Sequence, residues 1–207
     1  EVLTDQRKAL EELDNMVNRN VVTSSRGAMS FVAIADSDDT VLLGEGRYVC
    51  RGGICATVSS SGMGKSSITI QEAICYALGR AFMGIQPNGP LRSLIIQSED
   101  DDGDIGEVVQ SIAHAMNLTA KERELIDQRV RIVSDKISRG DKFITALQGY
   151  AHTFKPDLVW INPLHAFFKG DIACADDIGN FLREGLAWAN RKELWAYMLI
   201  HHTTKPA

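Results

Sequence analysis

The sequence predicts an α/β fold of three layers, a mostly parallel central sheet with helices on both faces, preceded by an N-terminal helix. Three observations carry this. From Ile54 onward, apolar runs of strand length alternate with helical patterns. Those runs are too uniformly apolar to have one wet face, as strands covered on both sides must be. The length of 207 residues, 44% hydrophobic and 24% charged, suits one such core and is too short for two large ones.

Taken in order, "TDQRKALEELDNMVNRN" has a capping residue at Thr4 and apolar Leu10, Leu13, Met16 and Val17 at helical spacing, so an amphipathic helix is expected from Thr4 to about Asn18. Packing on its own domain and docking on a neighbouring subunit both stay open for it. A polar interval "TSSRG" follows, then short β-like runs "FVAIA" and "TVLLG" around the turn signal "DSDD". Residues 1–41 therefore read as helix and lead-in, and 42–207 as the core. In the core, "ICATVS" precedes a helix from Lys65 to Phe82, and "SLIIQS" a helix from Ile105 to Met116. "LTAKERELIDQ" adds a short helix whose Thr119 and Glu122 have capping-box spacing. "RVRIVS" precedes a helix from Lys142 to Phe154, "LVWIN" one from Asp177 to Ala189, and "LWAYMLIHH" is the last strand.

Bulk properties narrow the function. A net charge of −5 argues against gripping nucleic acid by global attraction, so any DNA contact is expected to be local or assembled from several subunits. The four cysteines form no CxxC pair and stand near no histidine at zinc-ligand spacing; buried free thiols are expected. With no visible signal peptide and no apolar run of membrane-spanning length, the chain reads as soluble and cytoplasmic, with no membrane partner. A first residue other than Met suggests a fragment or a processed chain.

The stretch "VSSSGMGKSS" lies between an expected strand and an expected helix, the setting in which a phosphate-binding loop is credible. Ser60, Ser61, Gly62, Met63, Gly64, Lys65, Ser66 and Ser67 form the candidate nucleotide-binding set. Backbone N–H groups there would curl around a phosphate at the positive end of the helix. Lys65 would reach the terminal phosphates and the Ser66 hydroxyl would ligate Mg2+, which makes ATP and Mg2+ the expected cofactors. Against the template GxxxxGK[ST], Ser59 takes the place of the first glycine. A small geometric cost with binding retained is the expectation.

Neighbouring strand tips supply the rest. Glu99 follows "SLIIQS" at the carboxyl end of a parallel strand, where it would face the γ-phosphate and orient or deprotonate a water. The three aspartates after it read better as a solvated turn and helix cap. "LVWINPL" ends in Asn162, where P-loop ATPases carry an Asp that holds magnesium through water; an amide can accept from such a water but brings no charge. Asp157, at the other end of that strand, is too far away to replace it. His201 and His202 end the last strand, followed by Thr203, Thr204 and Lys205. Adjacent strand residues face opposite sides, so one histidine points into the crevice, and His202 is the preferred one.

In this order and spacing, "VSSSGMGKSS", "IIQSED", "LVWINPL" and "LIHHTTKP" resemble the RecA-like ATPase core of RepA-type hexameric replicative helicases and their phage and plasmid relatives, over roughly Leu42 to Ala207. The resemblance implies ATP hydrolysis at subunit interfaces, with Glu99 at the catalytic glutamate, the His201–His202 pair at the phosphate sensor, and Lys65 and Ser66 at the phosphate and magnesium positions. It also implies a homo-oligomer, a ring or filament, with single-stranded DNA as a partner. Two departures stand against it: Asn162 replaces Asp, and the chain ends at Ala207, before the strands that usually supply a DNA-facing loop and an arginine finger, so the core reads as C-terminally truncated. Phe167, Phe168 and Lys169 of "HAFFKGDIACADD" offer base stacking and a phosphate contact, with simple burial of the phenylalanines as the plainer alternative. Two functions follow: a DNA helicase or loader driven by ATP, or a nucleotide-gated assembly module with weak hydrolysis. A small-molecule kinase is disfavoured, for no Arg-rich lid is apparent.

Overall fold

The computed structural model describes residues 27–171, 173–191 and 194–203. The helix expected from Thr4 to Asn18, and Thr204 and Lys205, lie outside the described residues. The chain divides into two compact units, Glu1–Ala35 and Asp36–Ala207. In the first, a 3-10 turn at Ala28–Ser30 is closed by the Ser30 N–H and hydroxyl, which both donate to the Gly27 carbonyl (2.9 and 2.7 Å). The β-like run "FVAIA" forms no strand there; of the two runs beside "DSDD", only the second finds a ladder partner.

That partner opens the second unit. β1 (Val41–Leu43) pairs antiparallel with β2 (Val49–Cys50), and the Asp36 carboxylate closes the turn between them by accepting from the Gly46 and Arg47 N–H groups. Five strands follow: β3 (Ile54–Ser60), β4 (Ser93–Gln97), β5 (Val130–Ser134), β6 (Leu158–Asn162) and β7 (Ala196–Thr203). They form one sheet in the order β3-β7-β6-β4-β5, with every pair parallel. Side chains alternate between faces along each strand. On β6, Leu158 and Trp160 enter one core, Val159 and Ile161 the other, and all four are fully buried.

The first core is roofed by α1 (Lys65–Ala77), α2 (Asp102–Ala115) and α3 (Ala120–Arg129), through Ile70, Ile74, Ile112 and Ile126. The second lies under α4 (Asp141–Phe154), α5 (Leu164–Phe167) and a continuous helical run. That run is α6 (Ala175–Asn180), a π-helical stretch Phe181–Ala187 and α7 (Trp188–Asn190). The expected three-layer α/β architecture is therefore present.

Element ends differ where capping outweighs periodicity. α1 stops at Ala77, short of Phe82, because Gly79 turns left-handed (φ 69°) and the chain closes a Schellman motif: Arg80 N–H to the Cys75 carbonyl, Gly79 N–H to that of Tyr76. α2 starts three residues before Ile105, for the Asp101 carboxylate accepts from the Asp104 N–H (2.9 Å). The Thr119–Glu122 capping box forms as expected. β3 departs from the expectation of two covered faces: as the edge strand it leaves Ile54 and Val58 about half exposed, at 47% and 53%. The cysteines are free, yet only Cys75 is buried; Cys50 lies on the small ribbon, Cys55 on the edge strand and Cys174 just before α6, and these three are half-buried. No helix among the described residues is long and apolar enough to cross a membrane.

Candidate nucleotide-binding site

All five parallel strands direct their carboxyl ends to one edge of the sheet. β3, β7, β6 and β4 are consecutive in space, so the residues at and just past their ends line that edge in the order phosphate loop, His201–His202, Asn162, Glu99. Sequence order separates these residues widely; strand order gathers them.

The loop from Ser61 to Gly64 joins β3 to α1. Gly62 (φ 80°) and Gly64 (φ 76°) take left-handed backbone angles, and a Cβ at either would meet nothing within 4 Å. Conformation, not space, therefore selects glycine there. Gly64 is the N-cap of α1 and no side chain caps that end, which leaves the first helical N–H groups facing the loop's concavity. Met63 is exposed, and Ser60 Oγ lies 3.5 Å from Thr203 Oγ1 at the end of β7. Lys65 is buried; its Nζ donates to the carbonyls of Ser59 (2.9 Å) and Ser60 (2.6 Å) and to Ser59 Oγ (3.1 Å). Ser59 thus does more than fill a glycine's place, because its hydroxyl is a partner of the lysine.

At the tip of β6, Asn162 is 4% exposed and its Nδ2 donates to Ser66 Oγ at 3.0 Å. Its Oδ1 is buried and has no hydrogen-bond partner among the described residues. Asp157 stands at the other end of the strand, where it pairs with Arg51 (2.7 Å) and accepts from the Arg92 N–H. It is committed to structure.

At the tip of β4, the buried Gln97 holds the following turn. Its Oε1 accepts from the Glu99 and Asp100 N–H groups (3.0 and 2.9 Å), and its Nε2 donates to the Asp100 carbonyl and to Ser134 Oγ. Glu99 Oε2 comes within 3.7 Å of His202 Nε2. The His202 ring meets His165 edge to face, with centroids 5.6 Å apart. Burial and then the Lys65 charge push His202 below the ordinary histidine value, while Glu99 pulls it back. His201 is lowered by burial and by the charges of His165, His202 and Lys65. Both ring nitrogens of His202 and Nδ1 of His201 are buried with no hydrogen-bond partner among the described residues, the Glu99 carboxylate standing beyond hydrogen-bond distance of His202 Nε2. Lys65, Glu99, His165, His201 and His202 thus share one small volume beside Ser66 and Asn162.

Gln97 and His165 escaped the sequence reading, and the role of the Ser59 hydroxyl as a partner of Lys65 did too. A glutamine closing the otherwise apolar "SLIIQS" marks Gln97, whereas only strand order brings His165 to His202. Phe167 and Phe168 are buried in the second core, Phe167 stacked on Phe143 (4.4 Å) and Phe168 edge-on to Phe181 (5.4 Å). Base stacking by these two is therefore excluded, and of that trio Lys169 alone is exposed.

Two comparisons bear on this arrangement. No curated protein matches the chain. The family model described as AAA domain matches residues 42–207, which include the whole sheet, the phosphate loop and every strand tip described above. The chain accordingly belongs to the AAA-domain family, P-loop proteins that bind and hydrolyse ATP.

Proposed function

We propose that this protein is a motor ATPase acting on DNA as a homo-oligomer, in the role of a RepA-like helicase or helicase loader. The observation that carries the reading is the meeting of Lys65, Glu99 and His202 from separate strand tips: Glu99 lies 3.7 Å from His202, and the Lys65 charge acts on both terminal histidines. Backbone N–H groups from Ser61 to Ser66 cradle the phosphates, and Lys65 neutralises the terminal ones. Glu99 orients the attacking water and takes its proton as the oxygen bonds to the γ-phosphorus and the bond to the β–γ bridging oxygen breaks. His202 has ring nitrogens with no hydrogen-bond partner, which would bond the γ-phosphate and lose that bond when phosphate leaves.

The residues present fit a hydrated Mg2+. The Ser66 hydroxyl and the orphaned Asn162 Oδ1 are hard oxygen groups on side chains in hydrogen-bond contact, and Ser66 would hold the ion directly while Asn162 accepted from its water. When bound, the ion neutralises charge on the phosphate oxygens. An oligomer also supplies what a chain of net charge −5 lacks, a local cationic lining made of repeated contacts such as Lys169.

Asn162 favours a second reading, a nucleotide-gated assembly module with weak hydrolysis, because a neutral amide stands where a carboxylate would attract the metal. Steady-state ATP hydrolysis with and without single-stranded DNA separates the two, with Lys65→Ala as the blank. The motor reading expects turnover that rises with DNA and vanishes in Lys65→Ala. Nucleotide-dependent assembly without turnover would transfer the case to the gated module.

A further inference from the structure

An ammonium group has three N–H donors. In this structure Lys65 spends all three on two residues: the Ser59 carbonyl, the Ser60 carbonyl and the Ser59 hydroxyl, at 2.9, 2.6 and 3.1 Å. The side chain is only 7% exposed, turned back against the root of its own loop with no donor left for a phosphate.

The three acceptors differ in origin. Two are backbone carbonyls, which any residues at 59 and 60 would present. The third is a side chain, and a glycine at that position has none. The hydroxyl is also oriented, for Ser59 Oγ donates its own hydrogen to the Ser60 carbonyl (3.4 Å) and so presents a lone pair to the lysine. Ser59 Oγ, the Ser60 carbonyl and Lys65 Nζ close a small ring of hydrogen bonds. Bonds to a charged donor are among the stronger ones, and this one is half-buried.

We propose that Ser59 is a positioning residue that latches Lys65 to the root of its loop, so that the terminal phosphates of a nucleoside triphosphate must displace its hydroxyl before the lysine can serve them. The latch lowers affinity for nucleotide in exchange for a defined resting state, and it rests on the nucleotide-binding reading of the loop. Ser59 lies in β3, paired opposite His202 and without left-handed backbone angles, so alanine and threonine both fit its conformation.

The test uses the full chain and two readouts. Calorimetric titration with ATP is expected to show Ser59→Ala binding about tenfold tighter than wild type, the low end for a hydrogen bond to a charged group. Ser59→Thr, which keeps the hydroxyl, is expected to stay within about twofold of wild type by the same principle. The second readout needs no nucleotide: the Lys65 ammonium resonance in 15N spectra, assigned by its loss in Lys65→Arg, is slow in hydrogen exchange in wild type and Ser59→Thr and fast in Ser59→Ala. Equal or weaker ATP binding by Ser59→Ala, or unchanged ammonium exchange, overturns the latch. A wild-type chain that binds no ATP overturns the nucleotide reading instead, and the ammonium exchange still decides whether the serine holds the lysine.

Discussion

Asn162→Asp should change sign with its surroundings. Asn162 is 4% exposed, and its amide already gives its one bond to Ser66 Oγ. An aspartate there can accept from the Ser66 hydroxyl, but the nearest ammonium, Lys65, is committed to Ser59 and Ser60. A buried carboxylate with one partner costs about 1–3 kcal/mol. For a domain of this size that is a fall of roughly 2–12 °C in the melting temperature of the nucleotide-free protein in EDTA. With Mg2+ and ATP the charge becomes an asset. A unit negative charge one water away from a divalent ion, about 4–5 Å, gains roughly 2 kcal/mol even at the dielectric constant of bulk water. That lowers the Mg2+ concentration for half-maximal ATP binding by about 30-fold. Differential scanning fluorimetry with EDTA, and ATP titrations across Mg2+ concentrations, measure the two halves. An unchanged melting temperature in EDTA together with an unchanged Mg2+ midpoint would refute the placement of Asn162 at the metal corner.

Three further outcomes are expected. Phe167→Ala removes a fully buried ring stacked on Phe143, and denaturant unfolding should show a loss of about 3–5 kcal/mol; a stable variant defective only in DNA binding would contradict its burial. Glu72 accepts from the Tyr76 hydroxyl (2.8 Å), and burial raises its carboxyl above the ordinary value. Glu72→Gln keeps an acceptor and discards the desolvated charge, so its melting temperature at pH 7.5 should rise above that of wild type, a gain that shrinks as the pH falls and the wild-type carboxyl takes up its proton. The terminal histidines act in the opposite direction. Their values in the fold lie below the ordinary 6.5, so the unfolded chain takes up protons first. Their contribution is intact above pH 6.5 and drains away as pH falls through the lowered values; melting curves from pH 7.5 to 5.5 should show this decline, flattened in a His201→Asn, His202→Asn variant.

The parallel sheet was legible because each buried strand is an apolar run bounded by polar turns, and α3 because Thr119 and Glu122 spell out their own cap. The phosphate loop was legible for a similar reason, since its glycines answer a local backbone demand. Contacts between strand tips were less so. Glu99 stands just past β4 and His202 near the end of β7, strands that are not neighbours, and β6 with Asn162 lies between them. That permutation depends on how the whole sheet packs, and no local pattern encodes it. The same holds for His165, three residues past Asn162 in an unmarked position. Ser59 was read only in part, for a different reason: a missing glycine speaks of backbone cost, while the acceptor that its side chain adds shows only in the fold.

β3 and β7 run side by side through seven paired residues, from Ile54 opposite Tyr197 to Ser60 opposite Thr203, and Ser59 lies across from His202. Among the described residues, the loop hangs from a strand paired on one flank, by the strand that carries the histidines near its end. The two behave as rails of one short ladder: a displacement of β7 when its tip loses a phosphate contact would tug the cradle along with it. Such a linkage needs no hinge and no distant relay, and it would loosen the grip on spent nucleotide at the moment of cleavage.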